Sequence, residues 1–251
     1  MLEIEHVSRS FGGVKALEKL DLSLDAGIVL GLIGPNGSGK TTLFNVLSGV
    51  YPADSGTILL RGENITNSKP QEIIRFGIAR TFQNLRLYKR MTVFDNVWIA
   101  QHSLPDVAPR ELILANRKKE KSRRQLVQHL LEVTGLIDHS EQLAGGLPLP
   151  QQRRLELARA LVRSPDLLLL DEPAGGMTPA ETEEMGGLIR ETAAPGRTCI
   201  IIEHKMDLLS GLCHRLCVLN FGEKIAEGEP REVFEHPDVL EAYLGRSRPN
   251  A

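Results

Sequence analysis

The sequence predicts an α/β fold with a largely parallel sheet. Three observations carry that expectation. Short β-type runs alternate with helical patterns along the chain; two of the runs, Leu167 to Leu170 and Cys199 to Ile202, are unbroken apolar stretches; and a third, Ile28 to Ile33, is followed at once by a glycine-rich turn and a helical pattern. Unbroken apolar strands are those covered on both faces, the usual state of a parallel sheet.

The strand expectations, in chain order, are Leu2 to Val7, Ile28 to Ile33, Thr57 to Leu60, Leu167 to Leu170, Thr198 to Ile202 and Arg215 to Leu219. Between about Asn84 and Arg163 the pattern turns helical, with Val93 to His102, Arg110 to Thr134 and Gln151 to Arg163 as helices, and a further helix is expected to begin near Pro179. No internal repeat stands out. The polar tail Arg246 to Ala251 is expected to fray. All 251 residues are read as one domain with a helical insertion.

Composition narrows the function classes. Thirty Lys and Arg stand against 32 Asp and Glu, a formal net charge of -2, so no global field draws the chain to nucleic acid, which is not expected as a partner. Three cysteines, Cys199, Cys213 and Cys217, are too sparse for a disulfide framework and suit a reducing compartment. The N-terminus carries Glu3 and Glu5 and lacks an apolar stretch of signal-peptide length. Runs such as Leu167 to Leu170 fall far short of the roughly 20 residues that a membrane-spanning helix requires. Any membrane role is expected to come through a partner.

Two segments carry chemistry. Gly34, Pro35, Asn36, Gly37, Ser38, Gly39, Lys40 and Thr41 match the phosphate-binding pattern G-x-x-x-x-G-K-[ST], in the required order of strand, loop and helix. Glycines let successive N–H groups face a triphosphate, the helix adds its positive end, and Lys40 neutralises the outer phosphates. Thr41 is placed to offer its hydroxyl to Mg2+, and Thr42, next along the helix, completes the candidate ATP-binding set. Downstream, the leucine strand ends in Asp171 and Glu172. Asp171 suits Mg2+ and Glu172 suits polarisation of an attacking water. Taken alone, the two carboxylates also fit the opening of the helix near Pro179.

With these residues in place, the chain resembles the ATP-binding cassette ATPases over almost its whole length. The resemblance implies a P-loop NTPase core with a parallel sheet, an antiparallel β subdomain and a helical subdomain at about 84–163. In Ala79-Arg-Thr-Phe-Gln83-Asn it implies that Gln83 reaches Mg2+ and links core to insertion. In Ile200-Ile-Ile-Glu203-His204 it implies a switch histidine, His204, that bonds the γ-phosphate and the attacking water. Phe11 matches the aromatic residue that stacks on adenine, although a core or turn phenylalanine fits the same position. Several stretches resemble the ATPases of branched-chain amino acid importers: Phe11-Gly-Gly-Val-Lys-Ala-Leu, Ala79-Arg-Thr-Phe-Gln-Asn-Leu-Arg-Leu, Gln151-Gln-Arg-Arg-Leu-Glu-Leu-Ala-Arg-Ala-Leu, Asp171-Glu-Pro-Ala-Gly-Gly-Met-Thr-Pro and His236-Pro-Asp-Val-Leu-Glu-Ala-Tyr-Leu-Gly. That branch implies a peripheral place on the cytoplasmic face of the cell membrane. Its partners would be transmembrane permease subunits, a second ATPase subunit and, indirectly, a solute-binding protein.

Departures from the family matter as much. The expected L-S-x-G-Q signature reads Leu147-Pro148-Leu149-Pro150-Gln151. Pro148 removes a hydroxyl and Pro150 has no N–H. Thr178 stands where the family has Asp or Asn. The two prolines weaken anion binding by the segment, which in the family closes the nucleotide site of the opposite subunit, and lead to the expectation of a heterodimer; Thr178 alters a cross-dimer contact. Cys213, His214 and Cys217 fit no strong metal pattern, and the basic run Arg117 to Arg124 reads as a solvated face. Two other classes stay open: a cassette ATPase for another solute or one working off the membrane, and a nucleotide-binding regulator without turnover. One P-loop and no long heptad array favour transport.

Overall fold

The computed structural model describes residues 1–101 and 116–244, with the backbone alone for 116–119. His102, residues 110–115, the side chains of Arg117 to Lys119 and the tail Arg246 to Ala251 therefore lie outside the described residues. The strands are β1 (Leu2–Phe11), β2 (Val14–Leu24), β3 (Val29–Ile33), β4 (Ser55–Leu60), β5 (Glu63–Asn64), β6 (Ile78–Arg80), β7 (Leu167–Asp171), β8 (Thr198–Ile202), β9 (Arg215–Asn220) and β10 (Glu223–Gly228). The helices are α1 (Lys40–Leu47), α2 (Pro70–Arg75), α3 (Val93–Ala100), α4 (Asn116–Val133), α5 (Leu149–Leu161), α6 (Pro179–Leu188), α7 (Met206–Leu212), α8 (Pro230–Phe234) and α9 (Pro237–Leu244). None of them is long and apolar enough to cross a membrane.

Contacts divide the chain into two compact units. The first comprises Met1–Arg80, Asp166–Glu172 and Ile189–Ala251. It holds a six-stranded sheet in the order β10-β9-β3-β8-β7-β6, parallel except for β10, and a four-stranded antiparallel sheet in the order β2-β1-β4-β5. β3, β7 and β8 are buried at every position, which is why their sequences run apolar without alternation. Removing the four leucines of β7 from water contributes roughly 6 to 12 kcal/mol before chain entropy is set against it.

The structure extends the expected strands and adds others. β1 continues from Val7 to Phe11 through register shifts that break its alternation. β2 mixes charged residues with Leu17, Leu20, Leu22 and Leu24, which alone point inward, so its period is obscured. β6 is only three residues long, and β10 is a half-buried edge strand too polar to read as one.

The second unit comprises Thr81–Pro165 and Pro173–Leu188 and holds α3 to α6. Thr92 caps α3 by accepting a hydrogen bond at Oγ1 from the Asp95 N–H at 3.0 Å. α5 starts at Leu149, two residues ahead of the expected Gln151, and ends at Leu161. The early start follows from proline chemistry. Pro148 sits at the N-cap and Pro150 at the second helical position, where a missing N–H leaves no internal bond unmade and the fixed φ already suits the helix.

Candidate active site

β3 delivers the chain into a tight loop that only glycine can make at two points. At Gly34, with φ +146°, a Cβ would lie 2.0 Å from the Leu219 carbonyl oxygen and 2.7 Å from Ser38 Oγ. At Gly39, with φ +108°, it would lie 2.4 Å from the Ala16 carbonyl oxygen. The Ser38 carbonyl accepts from the Gly222 N–H at 3.0 Å, which ties the loop to the β9–β10 turn. Gly39 caps α1, and Lys40 opens it. The Lys40 ammonium is buried and donates to the Gly34 carbonyl at 2.7 Å, the Pro35 carbonyl at 2.9 Å and Ser38 Oγ at 3.3 Å. Burial lowers its pKa, against the opposing pull of the Glu172 and Asp171 carboxylates. Asn36, Gly37 and Thr41 are exposed, and Pro35 and Thr42 are half-buried.

The same unit brings the acidic strand end and the histidine to this loop's lysine. Asp171 closes β7, is buried, and receives the Arg80 guanidinium at 2.8 Å. Arg80 also donates to Asn45 Oδ1 at 2.7 Å and Ser48 Oγ at 3.0 Å, so it braces the end of α1 against the acidic strand end. Glu172 is held in the left-handed region at φ +48°, with its N–H bonded to the Ile202 carbonyl at 2.9 Å. A non-glycine residue there is strained, and such strain persists where surrounding structure over-determines it. His204 follows β8, and its Nε2 donates to Glu172 Oε1 at 3.2 Å. A carboxylate joined to an imidazole in this way can accept a proton from water and keep the pair oriented. The Asp171–Glu172 pair does not open α6, which begins at Pro179.

Phe11 ends β1 with 40% of its surface exposed, so it is not a core phenylalanine. Tyr51 meets it edge-on at 5.2 Å, and the Arg9 guanidinium lies 4.7 Å from its ring centre. Arg9 is itself fixed by Asp54 at 2.6 Å. The result is a braced, accessible aromatic face.

Gln83 and the Pro148–Gln151 segment belong to the second unit. Gln83 is exposed, but the backbone that carries it is gripped by α5. Arg153 donates to the Phe82 carbonyl at 3.1 Å and the Gln83 carbonyl at 2.9 Å, while Glu156 accepts from the Phe82 N–H at 3.2 Å. Arg153 and Glu156 are both buried and lie 3.6 Å apart. Burial pushes the Glu156 carboxyl up, opposed by the Phe82 N–H and the Arg153 charge. Glu156→Ala strips Arg153 of its counter-charge and is expected to lower folding stability by about 3 kcal/mol, read from denaturant unfolding. In the altered signature, Pro148 is exposed and no side chain caps α5. Thr178 is engaged locally: its N–H donates to Glu181 Oε2 at 2.8 Å and its hydroxyl to the same oxygen at 3.0 Å.

Sequence reasoning missed Arg9, Tyr51, Arg80, Arg153, Glu156 and Tyr243, whose hydroxyl accepts from the Gly34 N–H at 2.9 Å. None has a local signal beyond residue type, because the backbone or carboxylate groups that Arg9, Arg80, Arg153, Glu156 and Tyr243 hydrogen-bond, and the Phe11 ring that Tyr51 meets, are distant in sequence. Only the stretches quoted above as similar to importer ATPases contained most of them.

Comparison with known proteins agrees with this geometry. The family profile described as ABC transporter matches residues 17–175, and that described as Branched-chain amino acid ATP-binding cassette transporter matches residues 223–248. The high-affinity branched-chain amino acid transport ATP-binding protein LivG of Escherichia coli (strain K12) is 39% identical over 98% of each chain. The corresponding BraF of Pseudomonas aeruginosa is 38% identical over 98% of each. Two crystal structures of ATP-binding cassettes from ABC transporters, one nucleotide-free and one in the ADP conformation, each superpose with a TM-score of 0.85 at 34% identity, covering 98% of this chain and 99% of theirs. The profile match takes in both the phosphate loop and the Asp171–Glu172 strand end, and identity is sustained along the whole chain, so this chain belongs to the ABC transporter family, among its branched-chain amino acid transport ATP-binding proteins.

Proposed function

We propose that the chain is the ATP-hydrolysing subunit of a branched-chain amino acid importer, acting at the cytoplasmic face of the membrane through permease subunits. The observation that carries this reading is the 3.2 Å Glu172–His204 contact beside a complete phosphate loop. The solute follows from the relatives' names. In this reading residues 1–251 form one nucleotide-binding domain with a helical subdomain. Phe11 stacks on adenine, the loop from Gly34 to Thr42 holds the phosphates, and Lys40 turns its ammonium toward the outer ones. Thr41 and Asp171 offer the hard oxygen donors that Mg2+ takes, and Gln83 offers an amide oxygen. The ion, when bound, supplies positive charge against the phosphate oxygens. Glu172 polarises the attacking water, and His204 holds it in line. Reconstituting the chain with its permeases and solute-binding protein should give ATP-dependent uptake of leucine, isoleucine or valine. Transport of some other solute and none of these would remove the branched-chain assignment.

The signature segment supports pairing with a different ATPase. Gln152 N–H is bonded to the Pro148 carbonyl at 3.0 Å and Pro150 has none, so the first turn of α5 offers an anion only the Leu149 and Gln151 amides. Each charge-assisted bond lost to a γ-phosphate weakens its hold by roughly 1.5 to 3 kcal/mol. Two copies of this chain would have two weakened sites, whereas a partner with an intact signature would complete one strong site around Lys40 and Glu172. In the chain purified alone, the Pro148→Ser, Pro150→Gly double variant is expected to hydrolyse ATP roughly tenfold faster or more than the parent. Equal rates would make the proline signature silent and remove the case for asymmetry. The same prolines also suit a regulator that binds nucleotide without turnover, and measurable hydrolysis with the partner present excludes it.

A further inference from the structure

Helix α9 reaches the beginning of the phosphate loop. After β9 and β10 the chain folds through α8 and α9, which pack on β10 and are anchored by Val233 and Val239, buried to 2% and 3% exposure. Val239 and Tyr243 are four residues apart on α9 and therefore share one face. That spacing puts the tyrosine on the anchored face; 41% of its surface stays exposed, and its hydroxyl oxygen accepts the Gly34 N–H at 2.9 Å. The carbonyl of the same Gly34 accepts the Lys40 ammonium at 2.7 Å. Both backbone polar groups of one residue are thus held, the N–H by α9 and the carbonyl by the lysine of the phosphate loop.

Gly34 needs such a hold. It sits at φ +146° with no side chain to orient it, and the Leu219 carbonyl and Ser38 hydroxyl leave no room for one. Hydrogen bonds therefore set the directions of the two peptide planes that meet at it, Tyr243 holding the Ile33–Gly34 plane by its N–H and Lys40 the Gly34–Pro35 plane by its carbonyl. With the first plane held, the φ and ψ of Gly34 decide where its carbonyl lies, and hence what Lys40 must leave when it turns to a phosphate.

We propose that Tyr243 is a positioning residue of the nucleotide site: through its hydroxyl, the C-terminal segment holds Gly34 and sets the affinity of the phosphate loop for ATP. The proposal rests on the reading of residues 34–42 as the phosphate site. It assigns a task at that site to the stretch that matches the branched-chain cassette profile, residues 223–248. Tyr243 touches no reacting atom, so its effect belongs in binding rather than in chemistry.

Tyr243→Phe keeps the ring and removes only the hydroxyl. In the full chain it is expected to raise the ATP dissociation constant roughly two- to tenfold, the worth of one hydrogen bond. In the reconstituted transporter KM for ATP should rise by the same factor with kcat unchanged, and hydrogen exchange at the Gly34 amide should quicken while the thermal midpoint stays in place. An unchanged dissociation constant, a fall in kcat at constant KM, or a lowered thermal midpoint without faster Gly34 exchange would each overturn it. Lys40→Ala in the same titration separates the two readings. If that variant binds ATP undiminished, the phosphate-site reading fails; if it loses ATP while Tyr243→Phe binds like the parent, only the tyrosine proposal does.

Discussion

Lys40→Ala should abolish useful ATP binding. The side chain donates to the Gly34 carbonyl, the Pro35 carbonyl and Ser38 Oγ, and in the proposed reading its ammonium turns from these to the outer phosphates. In that reading alanine removes a side-chain cation directed at a highly charged ligand. Two charge-assisted hydrogen bonds lost at about 1.5 to 3 kcal/mol each correspond to a roughly hundred- to ten-thousandfold weaker dissociation constant. Burial lowers the Lys40 pKa because the ammonium is desolvated, against the pull of the Glu172 and Asp171 carboxylates. Equilibrium titration with labelled ATP reads the effect, and undiminished binding would refute the phosphate assignment.

Glu172→Gln should separate binding from turnover. The substitution is isosteric, Gln also tolerates the backbone that Glu172 adopts at some strain, and its amide oxygen still accepts from His204 Nε2, which now lies 3.2 Å from Oε1. What disappears is the capacity to draw a proton from water. Loss of a positioned general base slows turnover by about a hundred- to ten-thousandfold, with the ATP dissociation constant unchanged within about twofold. ATP should then accumulate on the protein in its associated form, which gel filtration in the presence of nucleotide detects. Hydrolysis at the parental rate would take Glu172 out of the chemistry.

These two residues differ in how they became visible. Lys40 belongs to a contiguous pattern, because a loop that wraps a triphosphate with its own backbone must be built from neighbouring residues. Glu172 is legible through the apolar strand before it, since β7 is buried at every position and a carboxylate at its end has to be there for a reason other than packing. His204 could be placed only by order along the chain, and the structure then set its imidazole on Glu172 across 32 residues. Phe11 was ambiguous between core and surface until its exposure decided it.

The buried strands were legible for the same local reason: an unbroken apolar run has few other uses. β2, β6 and β10 were not, because mixed burial, shortness and an edge position each erase the period on which strand recognition depends. The sequence by itself determined the phosphate loop, the acidic strand end, the α/β class and the proline-altered signature, all of them contiguous patterns whose chemistry is complete within a few residues. Only the tertiary structure decided that Arg80 braces Asp171, that Arg153 and Glu156 grip the backbone at Phe82 and Gln83, and that Tyr243 holds Gly34 from 209 residues away. Such contacts join one side chain to a distant backbone group, and folding alone brings the two within the 3 Å or so over which a hydrogen bond acts.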